Sequence, residues 1–149
     1  MKTSIRIALA LTSLAVSSLY GAETTVKLAN LPPAVQKTVQ AEIAHATLVG
    51  LTKEVEHGKL SYEIETKVNG RSRDLSVDAS GTILSVEEDV PLDSLPAVAK
   101  AAIEKQAAQG KVSKVEKVTA NGKVIYEAAI SVKGKKFEIQ IAEDGTLIK

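Results

Sequence analysis

The sequence predicts an α+β protein: a tandem repeat of one helix packed on a three- or four-stranded antiparallel sheet. Three observations predict it. The chain aligns with itself, so that Leu31–Leu84 lies over Leu95–Ile148 without a gap. An apolar stripe of helical spacing follows a Leu-Pro step at the head of each copy. Behind it, apolar and polar residues alternate with period two between matched glycines, the signature of half-buried strands.

The repeat is carried by its punctuation. Identical pairs include Leu31/Leu95, Pro32/Pro96, Gly58/Gly122, Lys59/Lys123, Tyr62/Tyr126, Glu63/Glu127, Gly70/Gly134, Gly81/Gly145 and Thr82/Thr146. Three of the matched glycines stand at three turns, and the apolar positions between them match in type. This divides the chain into a first unit over 23–88 and a second over 89–149, with Glu87-Glu88-Asp89-Val90-Pro91 as an acidic, solvated linker.

Residues 1–22 form an address. Lys2 and Arg6 precede an apolar run from Ile7 to Val16, and small residues follow at Ser17, Ser18, Gly21 and Ala22. This is the layout of a secretory signal peptide. The run is too short for a transmembrane helix, which needs about 20 apolar residues. The protein is therefore expected in the periplasm or secreted, with no membrane span in its mature form.

Each unit opens on a helix. Asn30 and Ser94 stand where an N-cap belongs, and proline in a first turn sacrifices no hydrogen bond. Leu95, Val98, Ala99, Ala102 and Ile103 form the buried stripe of the second helix; Leu31, Val35, Val39 and Ile43 form that of the first. Gly110 ends the second helix.

The strands follow. Leu60, Tyr62, Ile64 and Val68 face inward against Ser61, Glu63, Glu65 and Lys67 outward. His57-Gly58 and Asn121-Gly122 read as hairpin turns, where glycine accepts a positive φ. Gly70 and Gly134 mark the next turn. Leu75 and Val77, with Ile139 and Ile141, form the inner face of a third strand. Ser80-Gly81 and Asp144-Gly145 make a last turn before short strands at Thr82–Val86 and Thr146–Ile148.

Leu-Pro, a short helix, Gly-Lys-x-x-Tyr-Glu, a glycine turn and an acidic or polar residue before Gly-Thr resemble the PepSY-like domains. In particular they resemble the group described as β-lactamase-inhibitor-like. The residues are Leu31-Pro32, Gly58-Lys59, Tyr62-Glu63, Gly70 and Ser80-Gly81-Thr82, then Leu95-Pro96, Gly122-Lys123, Tyr126-Glu127, Gly134 and Asp144-Gly145-Thr146. The resemblance implies an exported helix-plus-sheet module that restrains a secreted or periplasmic hydrolase, a peptidase or β-lactamase-like enzyme. The chain departs from strong inhibitors in having few aromatic anchors of the kind that dominate interfaces. A structural or stress-related envelope protein without a discrete target is the alternative.

Composition narrows the chemistry. The chain has no cysteine, which excludes disulfides and thiolate metal sites. Removal of Lys2 and Arg6 takes the 19 basic residues to 17 against 18 acidic ones, and no basic stripe marks a nucleic-acid surface. His45 and His57 have no third ligand within reach of sequence spacing, and no Gly-x-Ser-x-Gly elbow is present. A non-enzymatic protein with no cofactor, no metal and no nucleic-acid partner is expected. The sequence leaves the oligomeric state open.

The binding candidates lie on the sheet. Where the first unit presents Ser61, Glu63, Glu65 and Lys67 outward, the second presents Ile125, Glu127, Ala129 and Ser131. Ile125 and Ala129 put an apolar spot on a face that should meet water, either packed on the other unit or touching a partner. Tyr62 and Tyr126 read either as binding residues or as core tyrosines whose hydroxyls reach the sheet margin.

Overall fold

The computed structural model describes residues 23–56 and 58–148. The signal-peptide expectation over 1–22 and the His57 half of the first hairpin turn lie outside the described residues. The elements in order are β1 (Glu23–Thr25), α1 (Pro33–Ile43), β2 (Thr47–Glu56), β3 (Lys59–Val68), β4 (Arg71–Asp78), β5 (Ile83–Asp89), α2 (Ala97–Ala107), β6 (Lys111–Ala120), β7 (Lys123–Val132) and β8 (Lys135–Ala142). A single 3-10 turn precedes each α-helix, at Leu28–Asn30 and Leu92–Ser94.

The expected fold class is wrong in its central feature. There are not two sheets of three or four strands, each with its own helix. There is one antiparallel sheet of eight strands in the order β1-β2-β3-β4-β5-β6-β7-β8, with both helices packed on it. The reason is the acidic run. Glu87, Glu88 and Asp89 are not a solvated linker but the end of β5. That strand pairs with β4 through Leu75↔Val86 and Asp74↔Glu87, and with β6 through Glu87↔Val118 and Asp89↔Glu116. An unpaired edge leaves a row of backbone donors and acceptors open to solvent or to another chain. Sharing β5 closes one such edge for each half. β1 occupies the corresponding place at the head of the sheet: Glu23 pairs with Glu54 as Glu87 pairs with Val118, matching positions of the repeat.

The helices start later than the sequence suggests. Asn30 and Ser94 end 3-10 turns, and Pro32 and Pro96 take the N-cap position without a side-chain hydrogen bond. A residue before proline is driven out of the α region by the pyrrolidine ring. Leu31 (ψ 154°) and Leu95 (ψ 155°) are accordingly extended, so no helix can run through them. Two stripe residues also point outward. Val98 is 55% exposed and Ile43 37%, while Glu42 is buried at 5%.

Two apolar cores lie between the sheet and its helices. One gathers Leu31, Val35, Val39, Ile64, Leu75 and Val77; the other gathers Leu95, Ala99, Ile103, Ile130, Ile139 and Ile141. Each fully buried Val, Leu or Ile contributes roughly 1.5–3 kcal/mol. The halves divide volume differently: Ile64 becomes Ala128, and Thr66 becomes Ile130. The last turn of each half docks on the helix. Gly81 (φ +83°) lies so near α1 that a Cβ would sit 2.6 Å from the Ala34 carbonyl oxygen, and at Gly145 (φ +87°) it would sit 2.9 Å from that of Val98. Only glycine satisfies both the backbone conformation and the close approach.

Candidate functional site

Both helices cover one side of the sheet and leave the other uncovered among the described residues. Strand alternation decides what this helix-free face presents. On β3 it presents Ser61, Glu63, Glu65 and Lys67, because Leu60, Tyr62 and Ile64 point to the helices. On β7 it presents Ile125, Glu127, Ala129 and Ser131, because Tyr126, Ala128 and Ile130 point to α2.

Register then assembles residues that are far apart in sequence. The row across the middle of this face, from β3 to β8, reads Glu65, Asp74, Glu87, Val118, Ile125 and Ala142. It is acidic over the first half and apolar over the second. A neighbouring row continues the acid into the second half through Asp89, Glu116 and Glu127, ending on Gln140. Gly50 lies under the acidic end, where the Glu65 carboxylate folds over it; a Cβ there would meet Glu65 Oε1 at 3.1 Å.

Packing carboxyls together in this way perturbs them. Burial, reinforced by Glu65, Asp74, Glu23 and Glu54, pushes Glu63 up to about 7. Burial, reinforced by Glu116, Glu127, Glu63 and Asp74, pushes Glu87 up to about 8. Asp74 is raised by burial too, although its Oδ1 accepts a 3.2 Å hydrogen bond from the Thr66 N–H. Donors reach the face at two points: Lys114 Nζ donates to Glu116, and Gln140 Nε2 donates to Glu127 Oε1 at 2.8 Å. Burial and the repulsion of like charges thus favour the protonated forms of Glu63 and Glu87, whereas an opposite charge would favour ionisation.

The sequence candidates divide between the two sides. Ile125, Glu127 and Ala129 sit together on the helix-free face, Ile125 beside Val118 and Ala129 between Lys114 and Glu138. Tyr62 and Tyr126 are on the other side, 7% and 5% exposed within the two cores. His45 is exposed past the end of α1, with Nε2 3.5 Å from Glu42. Asp78 closes the turn before β5, accepting hydrogen bonds from the Ser80 hydroxyl (2.6 Å), Thr82 N–H (3.0 Å) and Ser80 N–H (2.8 Å), which hold its carboxyl below the usual range. No group of three or more His, Cys, Asp or Glu among the described residues could hold a metal ion. No helix among them is long and apolar enough to cross a membrane.

Sequence reasoning missed Asp74, Glu87 and Glu116 as neighbours of Glu63 and Glu127. Asp74 was within reach, since inward Leu75 and Val77 force it outward. Glu87 was hidden by the linker reading, and Glu116 by Val118, an apolar residue on the same side of its strand.

This architecture has counterparts. The sequence profile described as "Putative beta-lactamase-inhibitor-like, PepSY-like" matches the chain twice, over residues 21–85 and 69–149. The chain belongs to this family. Among solved structures it is similar to a DUF2874 family protein from Bacteroides ovatus (21% identity, 80% of this chain and 86% of that one, TM-score 0.64). It is also similar to one from Bacteroides eggerthii described as a "putative periplasmic" protein (18%, 80% and 86%, TM-score 0.67) and to a BLIP-like protein from Bacteroides fragilis (18%, 80% and 84%, TM-score 0.61). At these identities the likeness is one of fold. No curated protein matches the sequence.

Proposed function

We propose that the chain is an exported, non-catalytic protein-binding module whose helix-free sheet face grips a partner bearing basic groups, and that the partner is a periplasmic or secreted hydrolase. The single observation that carries this reading is the continuous row Glu65, Asp74, Glu87, Val118, Ile125 and Ala142, half acidic and half apolar. Gathering carboxyls at the expense of their ionisation costs stability, and an arriving lysine or arginine offsets that cost by restoring their charge. The apolar end supplies area to bury. Membership of a family described as inhibitor-like, and likeness to folds described as BLIP-like and periplasmic, support the hydrolase and the compartment. Residues 1–22 serve as the export signal, and 23–88 and 89–149 are two copies of one ancestral unit fused through β5.

The test uses the tagged protein as bait in the exported fraction of its native cell, beside Ile125→Asp and Ala129→Asp. The expected result is a protein recovered by the wild type, lost by folded variants, and slowed in its hydrolytic reaction when bound. Equal recovery by wild type and variants overturns the reading, as does the absence of any specific retention. Binding also carries a pH signature: a cationic partner is held more tightly at pH 8.5 than at pH 6, because binding at pH 6 must first displace the protons of Glu63 and Glu87.

A further inference from the structure

β8 ends the sheet, and its outer edge has a defined free stretch. Ala142 N–H bonds to the Thr146 carbonyl at 2.8 Å, and Ile148 N–H bonds to the Gln140 carbonyl at 2.8 Å, so the backbone of Gln140 and Ala142 faces away from β7. Backbone direction alternates along a strand. The N–H and C=O of Lys136 and Glu138 therefore face outward as well, and no strand among the described residues covers them. In the first half the matching edge of β4 is covered by β5, with Glu88 opposite Arg73. In the second half the residue in the Arg73 position is Phe137, 41% exposed.

We infer that this edge pairs with the same edge of a second copy of the chain, β8 against β8 about a two-fold axis through Phe137. The argument is register. Antiparallel pairing centred on Phe137 sets Lys136 opposite Glu138 of the second copy and Glu138 opposite its Lys136, two opposite-charge pairs on the helix-free face. The outward backbone groups of those residues meet as hydrogen-bonded pairs, and the two Phe137 side chains face each other as a non-hydrogen-bonded pair on the helix side. Moving the axis to Lys136 sets lysine against lysine, and moving it to Glu138 sets glutamate against glutamate. Opposite charges directly across a strand pair stabilise and like charges oppose it, so the sequence selects one register. The contact is isologous and closes as a dimer. It joins two eight-stranded sheets into one and is independent of the hydrolase reading.

Sedimentation equilibrium of the full chain over micromolar to near-millimolar concentration measures the association. The expected result is a reversible dimer. Glu138→Lys sets lysine against lysine and weakens association tenfold or more. The swap Lys136→Glu with Glu138→Lys restores it. All three positions are exposed, so circular dichroism should be unchanged. In a chain that has no cysteine, Phe137→Cys reports the register directly. Non-hydrogen-bonded partners sit about 4.5 Å apart at Cα, within disulfide range, and mild oxidation should yield a covalent dimer. A monomer throughout overturns the inference. So does a dimer that is indifferent to Glu138→Lys and uncrosslinked in Phe137→Cys.

Discussion

The two halves of the molecule share a frame and close it differently. In the first half, Arg73 on β4 joins three elements: its Nε donates to Glu42 of α1 at 2.7 Å, and its Nη1 to Glu88 of β5 at 2.6 Å. At the matching positions the second half has Gln106 in place of Glu42 and Phe137 in place of Arg73, with no strand outside β8 at that point among the described residues. A charged clamp holds the strand that joins the halves, and an aromatic residue occupies the edge that stays open. The middle row of the helix-free face follows the same division, with Glu65, Asp74 and Glu87 over the first half and Val118, Ile125 and Ala142 over the second. The repeated glycines set the turns, whereas the clamp and the open edge are built from residues that differ between the copies.

The largest break in this comparison comes from the clamp. Arg73→Met leaves the buried Glu42 carboxylate without its guanidinium, and removing one partner of a buried ion pair is strongly destabilising. We expect a loss of about 3 kcal/mol in urea unfolding, at the low end for such pairs because Arg73 is partly exposed. Next is pH. Glu63 and Glu87 are raised above their unfolded values, so the folded state holds more protons than the unfolded state between pH 4.5 and about 8. Stability therefore falls as pH rises through that window, by on the order of 2 kcal/mol after allowance for solvent screening of partly exposed carboxyls. Urea midpoints at pH 5 and pH 8.5 check the sign, and Glu87→Gln should flatten the difference. A rise in stability across the window would contradict the crowding of that face. Third, Gly81→Ala meets both a positive φ and the Ala34 carbonyl and should cost more than Gly122→Ala, where φ is +72° but the space is open; differences of about 1–2 kcal/mol in thermal unfolding are expected. The smallest effect belongs to the open edge: Phe137→Ala should shift the stability of the isolated chain by less than about 1 kcal/mol.

Much of the local structure was legible. The matched glycines at 58, 70 and 81, and at 122, 134 and 145, stand at the turns, and all six have positive φ. The alternation on β3 and β7 correctly separated Glu63 and Glu65 from Tyr62 and Ile64. The errors came from interactions that local pattern does not carry. A cap at Asn30 or Ser94 was ruled out by the following prolines. The acidic run at Glu87 resembles a solvated linker because strand pairing is set by partners distant in sequence, Asp74 and Leu75 on one side and Val118 on the other. One signal was present. The self-alignment of the chain extends upstream to lay Glu23 over Glu87 and Val26 over Val90, so the start of one unit and the end of the other were the same strand.

That shared strand is what turns two small units into one sheet and places the carboxylates and the apolar row on one face. Native-state hydrogen exchange at β5 tests it most directly. The predicted result is that the paired amides between Val86 and Asp89 open with the same free energy as those of Ile64 and Ile130 in the two cores. Fast, linker-like exchange at Glu87–Asp89, with the two cores opening separately, would contradict it.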